Sequence, residues 1–232
     1  MSEGLIFRAF RAINDFDACL NFKEGHNSVL KDYGITNITT NNDVWMQNPN
    51  MYCIVALSAD GNDTLGGIRI QISDEDNPLP VENAIGKMDK RIYDIVKKFR
   101  DDGGVGELCA LWNAKKVAGV GISVLLTRAG ISLANQLHIT TLVGICADYT
   151  LKMFQKVGFV VDYSLGINGG FAYPNDTYTA RVLGIMNAAT LDTADEFDKL
   201  RMKSLRENPV QVYDEEGTKA RIKIEYNLLM EK

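Results

Sequence analysis

The stretch that most limits how this chain can fold is residues 105–159. Residues 106–112, Gly-Glu-Leu-Cys-Ala-Leu-Trp, are a short apolar run carrying one carboxylate. Lys116-Val-Ala-Gly119-Val-Gly121 then breaks the run and opens a helix. In that helix Ile122, Leu125, Leu126, Ala129, Leu133 and Leu137 recur at helical spacing, while Ser123, Thr127, Arg128, Asn135 and Gln136 lie largely off the stripe. Residues 139–146 are β-branched and aliphatic, the pattern of a buried strand. Asp148 can cap a short helix over 149–157, Gly158 fits its C-terminal stop, and 159–165 reads as the next strand. Glycines at the strand–helix junction let backbone approach a ligand closely, and the amides of a helix N-terminus point outward toward anions. The unit is a phosphate cradle by its physics, although its spacing is neither Gly-x-Gly-x-x-Gly nor Gly-x-x-x-x-Gly-Lys-Ser/Thr.

Lys116-x-x-Gly119-x-Gly121 resembles the (Arg/Gln)-x-x-Gly-x-Gly/Ala signature of the GNAT acyltransferases, and Phe154-Gln-Lys-Val-Gly158-Phe159 resembles that family's closing Tyr-x-Lys-Leu-Gly-Phe. The resemblance covers about residues 5–187. It implies an α/β (α+β) GNAT fold: a central, mixed but mostly antiparallel sheet, splayed between its fourth and fifth strands, with helices on both faces. Gly67-Ile-Arg69-Ile, then Leu79-Pro80-Val-Glu82, then Gly106-Glu107-Leu also resemble the acyl-homoserine-lactone and N-acyl amino acid synthase subgroup. The subgroup's Glu-x-x-Arg-Leu strand has Ala110 in place of the arginine here.

The rest of the chain fits around this unit. Residues 5–13 read as a first strand; Asn14 or Asp15 caps a helix through about Phe22, and a second short helix lies near 28–33. Trp45, Met46 and Tyr52 either line an acceptor pocket or pack in the core. Residues 51–58 and 64–73 form a hairpin, with Gly66-Gly67 marking a bulge or a close backbone approach. Residues 81–100 carry a helical pattern through Ile85, Met88, Ile92, Ile95, Val96 and Phe99, inserted where a minimal GNAT has a short turn. A strand follows at 177–185. Beyond Asn187, Asp192 or Thr193 starts a helix that ends before Pro209, and 210–213, a turn at 214–217 and 220–228 read as a hairpin whose even positions are apolar. The expected division is a core at 1–187 and a C-terminal helix plus hairpin at 188–232. That tail either covers the core, completes the acceptor pocket or makes a dimer sheet.

With 232 residues, the chain is long enough for one large domain or a domain with an extension. Its N-terminal region, with Glu3, Arg8, Arg11 and Asp15, lacks the apolar stretch of a signal peptide, and no apolar run is long enough to cross a membrane. Cys19, Cys53, Cys109 and Cys146 are scattered and read as reduced, buried thiols, so the expected location is the cytoplasm. With two histidines, His26 and His138, and no Cys-x-x-Cys, no metal site is expected. A net charge of −5 and no basic stripe argue against a nucleic-acid partner.

The resemblance implies transfer of an acyl group, acetyl or longer, from acetyl-CoA or another acyl-CoA to the amine of a small molecule or amino acid. An acyl carrier protein as donor partner and a homodimer are also open, as is an inactive binding module. Leu111, Trp112 and Asn113 take the place of the strand edge that pairs with pantetheine, and a strand amide near Leu111 would serve the oxyanion. The phosphates fall to the loop of residues 116–122: Lys116, Val117, Ala118, Gly119, Val120, Gly121 and Ile122, with main-chain amides and the lysine charge as the donors. Glu107 is the sole carboxylate of the central strand. It is either the general base, directly or through water, or an exposed strand residue paired with a lysine. By the two-residue period Glu107, Cys109 and Leu111 share one face. Cys109 is either a nucleophile or a buried thiol. Phe154 stands where the family's proton-donating tyrosine would be; Tyr149 either replaces it or is a surface or core tyrosine, and a thiolate, with a pKa of about 8.5, can also leave unaided.

Overall fold

The computed structural model describes residues 4–35, 42–218 and 221–230. Its elements in chain order are β1 (Leu5–Arg11), α1 (Phe16–Asp32), β2 (Met51–Ser58), β3 (Thr64–Ile72), α2 (Pro80–Ile85), α3 (Arg91–Asp101), β4 (Val105–Asn113), α4 (Ile122–Ser132), β5 (Thr141–Ala147), α5 (Leu151–Lys156), β6 (Val160–Val161), β7 (Phe171–Ala172), β8 (Thr179–Ile185), α6 (Glu196–Glu207), β9 (Val210–Glu216) and β10 (Arg221–Asn227). The strands make a ten-stranded sheet in the order β6-β8-β5-β4-β3-β2-β1-β10-β9, with β7 also on β8. Only β1–β10 and β4–β5 are parallel. Ile54, Ile68 and Leu108 pack on α4 and its neighbours, whereas Cys53, Val55 and Trp112 pack on α1. The mostly antiparallel sheet with helices on both faces is the arrangement that the resemblance implies.

Several elements differ from the sequence reading, each for a visible reason. Asp15 does cap α1, accepting from the Ala18 N–H at 3.0 Å, but the helix runs on through Gly25 to Asp32 in one piece. Gly25 is a packing glycine: a Cβ there would sit 2.0 Å from the Trp112 ring. Alanine at this position gains about 1 kcal/mol in helix propensity but costs about 3 kcal/mol in overpacking against a buried indole. Gly25→Ala is therefore expected to destabilise the protein by about 2 kcal/mol net, seen as a lower urea midpoint with an unchanged slope.

The helical pattern over 81–100 splits into α2 and α3 because the chain turns at Gly86 and starts afresh at Arg91, whose N–H donates to the Asp89 carboxylate at 3.1 Å while the other Asp89 oxygen accepts from the Gly166 N–H at 2.9 Å. Asp148 does not cap the next helix; it pairs with Arg181 at 2.5 Å, and a 3-10 turn at Asp148–Thr150 precedes α5. The strand expected at 159–165 is two residues long, β7 appears between it and the strand expected at 177–185, and α6 starts at Glu196. β9 runs through Glu216, into the residues expected to turn at 214–217; Ala220, the first expected residue of the last strand, lies outside the described residues.

The C-terminal hairpin joins the sheet through β1, burying Ile222, Ile224, Tyr226 and Leu228 in the core. Arg128 and Thr127 are buried rather than off the stripe. Arg128 is met by Asp198 of α6 at 2.6 Å and Glu215 of β9 at 3.4 Å.

Candidate functional site

β4 and β5 pair only where Val105–Leu108 faces Thr141–Gly144. Past Leu108 the two strands part, β5 continuing along β8 to Ala147. The parting has a local cause. Ala110 adopts φ of 50°, and the β3 register slips between Gly67 and Arg69, so β4 carries a bulge there. Gly67, on the β3 side of the slip, makes room for the Phe22 ring, which would stand 2.5 Å from a Cβ there. The bulge also flips the side-chain alternation. Glu107 and Cys109 share the face toward α1 and α2 with Trp112, while Leu111 turns to pack against the α4 cluster, which corrects the simple two-residue reading. The Trp112 ring is buried edge-on to Phe22 at 5.8 Å, so only its main chain is left for the strand edge.

A cavity of about 250 Å³ opens at the parting. Glu107, Cys109 and Leu111 line it from β4, Ile145 and Ala147 from β5, and His26 from α1. Tyr149, Phe154 and Tyr173 close it on the other side. A second cavity of about 310 Å³ shares His26, Leu30, Leu111 and Tyr149 with the first and runs past Asn113, Ala118 and Ser123 toward the glycine loop.

Glu107 is fully buried and no lysine pairs with it, so the exposed-strand reading is wrong. Its Oε2 accepts from the Val81 N–H of α2 at 2.7 Å, while Oε1 is buried with no partner among the described residues. Burial pushes this carboxyl up to about 8, against the Val81 hydrogen bond and the Arg69 charge. The inserted segment supplies that contact: Leu79-Pro80-Val81-Glu82 starts α2, with the Glu82 carboxylate accepting from the Leu79 N–H at 2.7 Å. The Cys109 thiol is pushed up to about 12 by burial, which leaves it protonated and unsuited to nucleophilic attack near neutrality.

His26 escaped the sequence reading, because a lone histidine mid-helix carries no motif. It is the imidazole that both cavities share, held neutral by burial and by the nearby Arg69 charge, which lower it to about 4. Tyr173 was missed for the same reason. Tyr149 is exposed and borders both cavities; burial of its hydroxyl side raises its pKa.

The glycine loop is built as an anion cradle. Gly119 and Gly121 have φ of 74° and 99°, and Gly121 is the N-cap of α4. Among the described residues the N–H groups of Gly119, Gly121, Ile122 and Ser123 have no hydrogen-bond partner, whereas those of Val117, Ala118 and Val120 bond within the loop. The Ile122 side chain is buried and those of Val117 and Val120 lean on the core, so the amides are what Gly121 and Ile122 offer. Ala118 and Gly119 are exposed. The Lys116 ammonium lies 2.6 Å from Asp63 on the surface. The turn of the C-terminal hairpin braces the loop from behind, with the Thr218 N–H donating to the Val120 carbonyl at 3.1 Å.

No protein-family model matches the sequence, and no curated protein matches it. Solved structures do match. FeeM, an N-acyl amino acid synthase from uncultured soil microbes, superimposes with a TM-score of 0.62 at 14% identity over 84% of this chain and 97% of its own. BjaI, a CoA-dependent acyl-homoserine lactone synthase solved with SAM and isopentyl-CoA, gives 0.57 at 12% identity over 88% and 90%. An acyl-CoA N-acyltransferase from Pseudomonas aeruginosa gives 0.55 at 11% identity over 78% and 98%. The parted β4 and β5, the glycine loop at the head of α4 and these superpositions together establish that the chain has the GNAT acyltransferase fold.

Proposed function

We propose that this protein is an N-acyltransferase that moves an acyl group from acyl-CoA to the amine of a small-molecule or amino-acid acceptor. The observation that carries the reading is the continuity of one groove. It runs from the unpaired amides at the head of α4, along the open edge of β4, to a buried carboxyl with a free oxygen. The amides and Lys116 would hold the donor's phosphates, and the edge of β4 at Leu111, Trp112 and Asn113 would pair with the amides of its pantetheine arm.

The amine nitrogen attacks the thioester carbonyl, a C–N bond forms, and the C–S bond breaks. Glu107 takes the proton that the nitrogen loses, and the departing thiolate picks up a proton from solvent or from Tyr149 or Tyr173 at the cavity wall. Direct attack is favoured over a covalent intermediate because the Cys109 thiol stays protonated. No helix among the described residues is long and apolar enough to cross a membrane.

A carrier-protein donor and a longer acyl chain are the second reading. The cavity of about 250 Å³ is several times what an acetyl group fills, and FeeM, of like fold, is an N-acyl amino acid synthase. Thiol release, followed with acetyl-, hexanoyl- and dodecanoyl-CoA over a panel of amines, tests the proposal: release that depends on the amine supports it, and none with any pair counts against it. Gly121→Val forces a β-branched side chain to φ of 99° against Thr218. It is expected to weaken acetyl-CoA binding by about tenfold or more, read by calorimetric titration.

A further inference from the structure

We propose that His26 of α1 is an oxyanion donor for the thioester carbonyl, its ring N–H completing from the helix side the hole that a main-chain amide near Leu111 begins. The inference deepens the N-acyltransferase reading above and rests on it.

The two cavities meet at a junction lined on both sides by His26, Leu30, Ile35, Leu111, Tyr149 and Thr150. One cavity carries the proposed base, Glu107, and the other leads to the glycine loop, so a donor laid along the groove has its thioester at this junction. Leu30, Ile35 and Leu111 offer no polar side chain there. The Thr150 hydroxyl already donates to the Ala147 carbonyl at 2.9 Å, and Tyr149 is 72% exposed. That leaves His26, which is 8% exposed. Among the described residues neither of its ring nitrogens has a hydrogen-bond partner; its ring neighbour is Phe22, with centroids 6.3 Å apart.

A buried N–H without a partner costs folding free energy. The packing of α1 does not call for one. Cys19, Phe22 and His26 are the buried stripe of this helix, and a leucine in place of the histidine would continue it without an unpaired polar group. The protonation state fits an oxyanion donor. Burial and the Arg69 charge hold the ring neutral, lowering it to about 4. Such a ring keeps one N–H to donate and is too weak a base to deprotonate an amine. A neutral imidazole can polarise a carbonyl without releasing its proton.

In the reaction, the amine nitrogen bonds to the carbonyl carbon and the C=O π pair moves onto the oxygen. The His26 N–H and the main-chain amide donate to that oxygen. The pair returns as the C–S bond breaks, and His26 keeps its proton throughout.

His26→Leu should lower kcat by about 10²- to 10³-fold, with the KM for acetyl-CoA within about threefold of native. Its urea midpoint should be no lower than the native one, because the unpaired N–H is gone. His26→Gln, which keeps an N–H, should recover to within about tenfold of native turnover. Full turnover in His26→Leu overturns the assignment. So does an equal loss in the Leu and Gln variants, which would mark the shape of the ring rather than its N–H as what counts. A second readout needs neither a variant nor turnover. The chain has two histidines, and the other, His138, is exposed and lines neither cavity. In protein carrying isotopically labelled histidine, acetonyl-CoA, a ketone analogue of the thioester, should shift the nuclear magnetic resonance of the buried ring, and CoA, which lacks the ketone, should not. A ketone that binds by calorimetry without that shift, or an equal shift with both compounds, overturns the donor and leaves the transferase reading standing. Binding of neither compound removes both.

Discussion

Glu107→Gln is expected to lower kcat by about 10²- to 10⁴-fold and at the same time to make the protein more stable in alkaline buffer. Both effects follow from one carboxyl, fully buried and raised to about 8. Glutamine keeps an acceptor for the Val81 N–H and nearly the same volume, but it cannot take a proton. In the native protein the folded state holds the proton over the interval from about 4.5, the ordinary value, to about 8, whereas the unfolded chain has lost it. Folding stability therefore falls as pH rises through that interval, by about 1.4 kcal/mol per unit. Between pH 6 and pH 8 the native protein should lose about 2 kcal/mol relative to Glu107→Gln, measured by urea denaturation at both pH values. Turnover by the native protein should climb with pH toward about 8, where the carboxylate is finally populated. A native pH–rate profile flat from 6 to 8, or a Gln variant with full turnover, would remove Glu107 from the chemistry.

The second large effect is structural. Glu215 is wholly buried, and its Oε1 accepts from Arg201 at 2.7 Å and from the Tyr226 hydroxyl at 2.8 Å. Its Oε2 meets Arg128 of α4 at 3.4 Å. Glu215→Ala leaves Arg201 with Ser204 as its remaining hydrogen-bonding side chain and strands a buried phenol. Removing one partner of such a cluster costs about 3–5 kcal/mol, and a fall of that size in chemical denaturation is expected. The same cluster ties β9 and α6 to the helix that the glycine loop opens, so weaker acetyl-CoA binding should accompany the loss. A Glu215→Ala protein as stable as the native one would show that the arginines find other partners.

The glycine loop, its helix, most strands and the buried carboxylate position were legible in the sequence because each leaves a local trace: alternation, helical spacing, a glycine pair. What was not legible depends on contacts between distant segments. The length of α1 hid behind Gly25, which looks like a stop until Trp112 is seen lying on it. Arg128 looked solvent-facing because its partners Asp198 and Glu215 are 70 and 87 residues away. The environment of Glu107 depends on a helix start 26 residues upstream, and the bulge at Ala110 falsified a face assignment that strict alternation supports. His26 gained its significance only when cavities formed around it.

The most direct measurement is a calorimetric titration of the protein with acetyl-CoA, repeated in the presence of excess CoA. Binding of one donor per chain, displaced by CoA and weakened by Gly121→Val, is the result expected if the groove between the parted strands holds a pantetheine-bearing thioester. No heat at millimolar donor, with acetyl-, hexanoyl- and dodecanoyl-CoA alike, would contradict it.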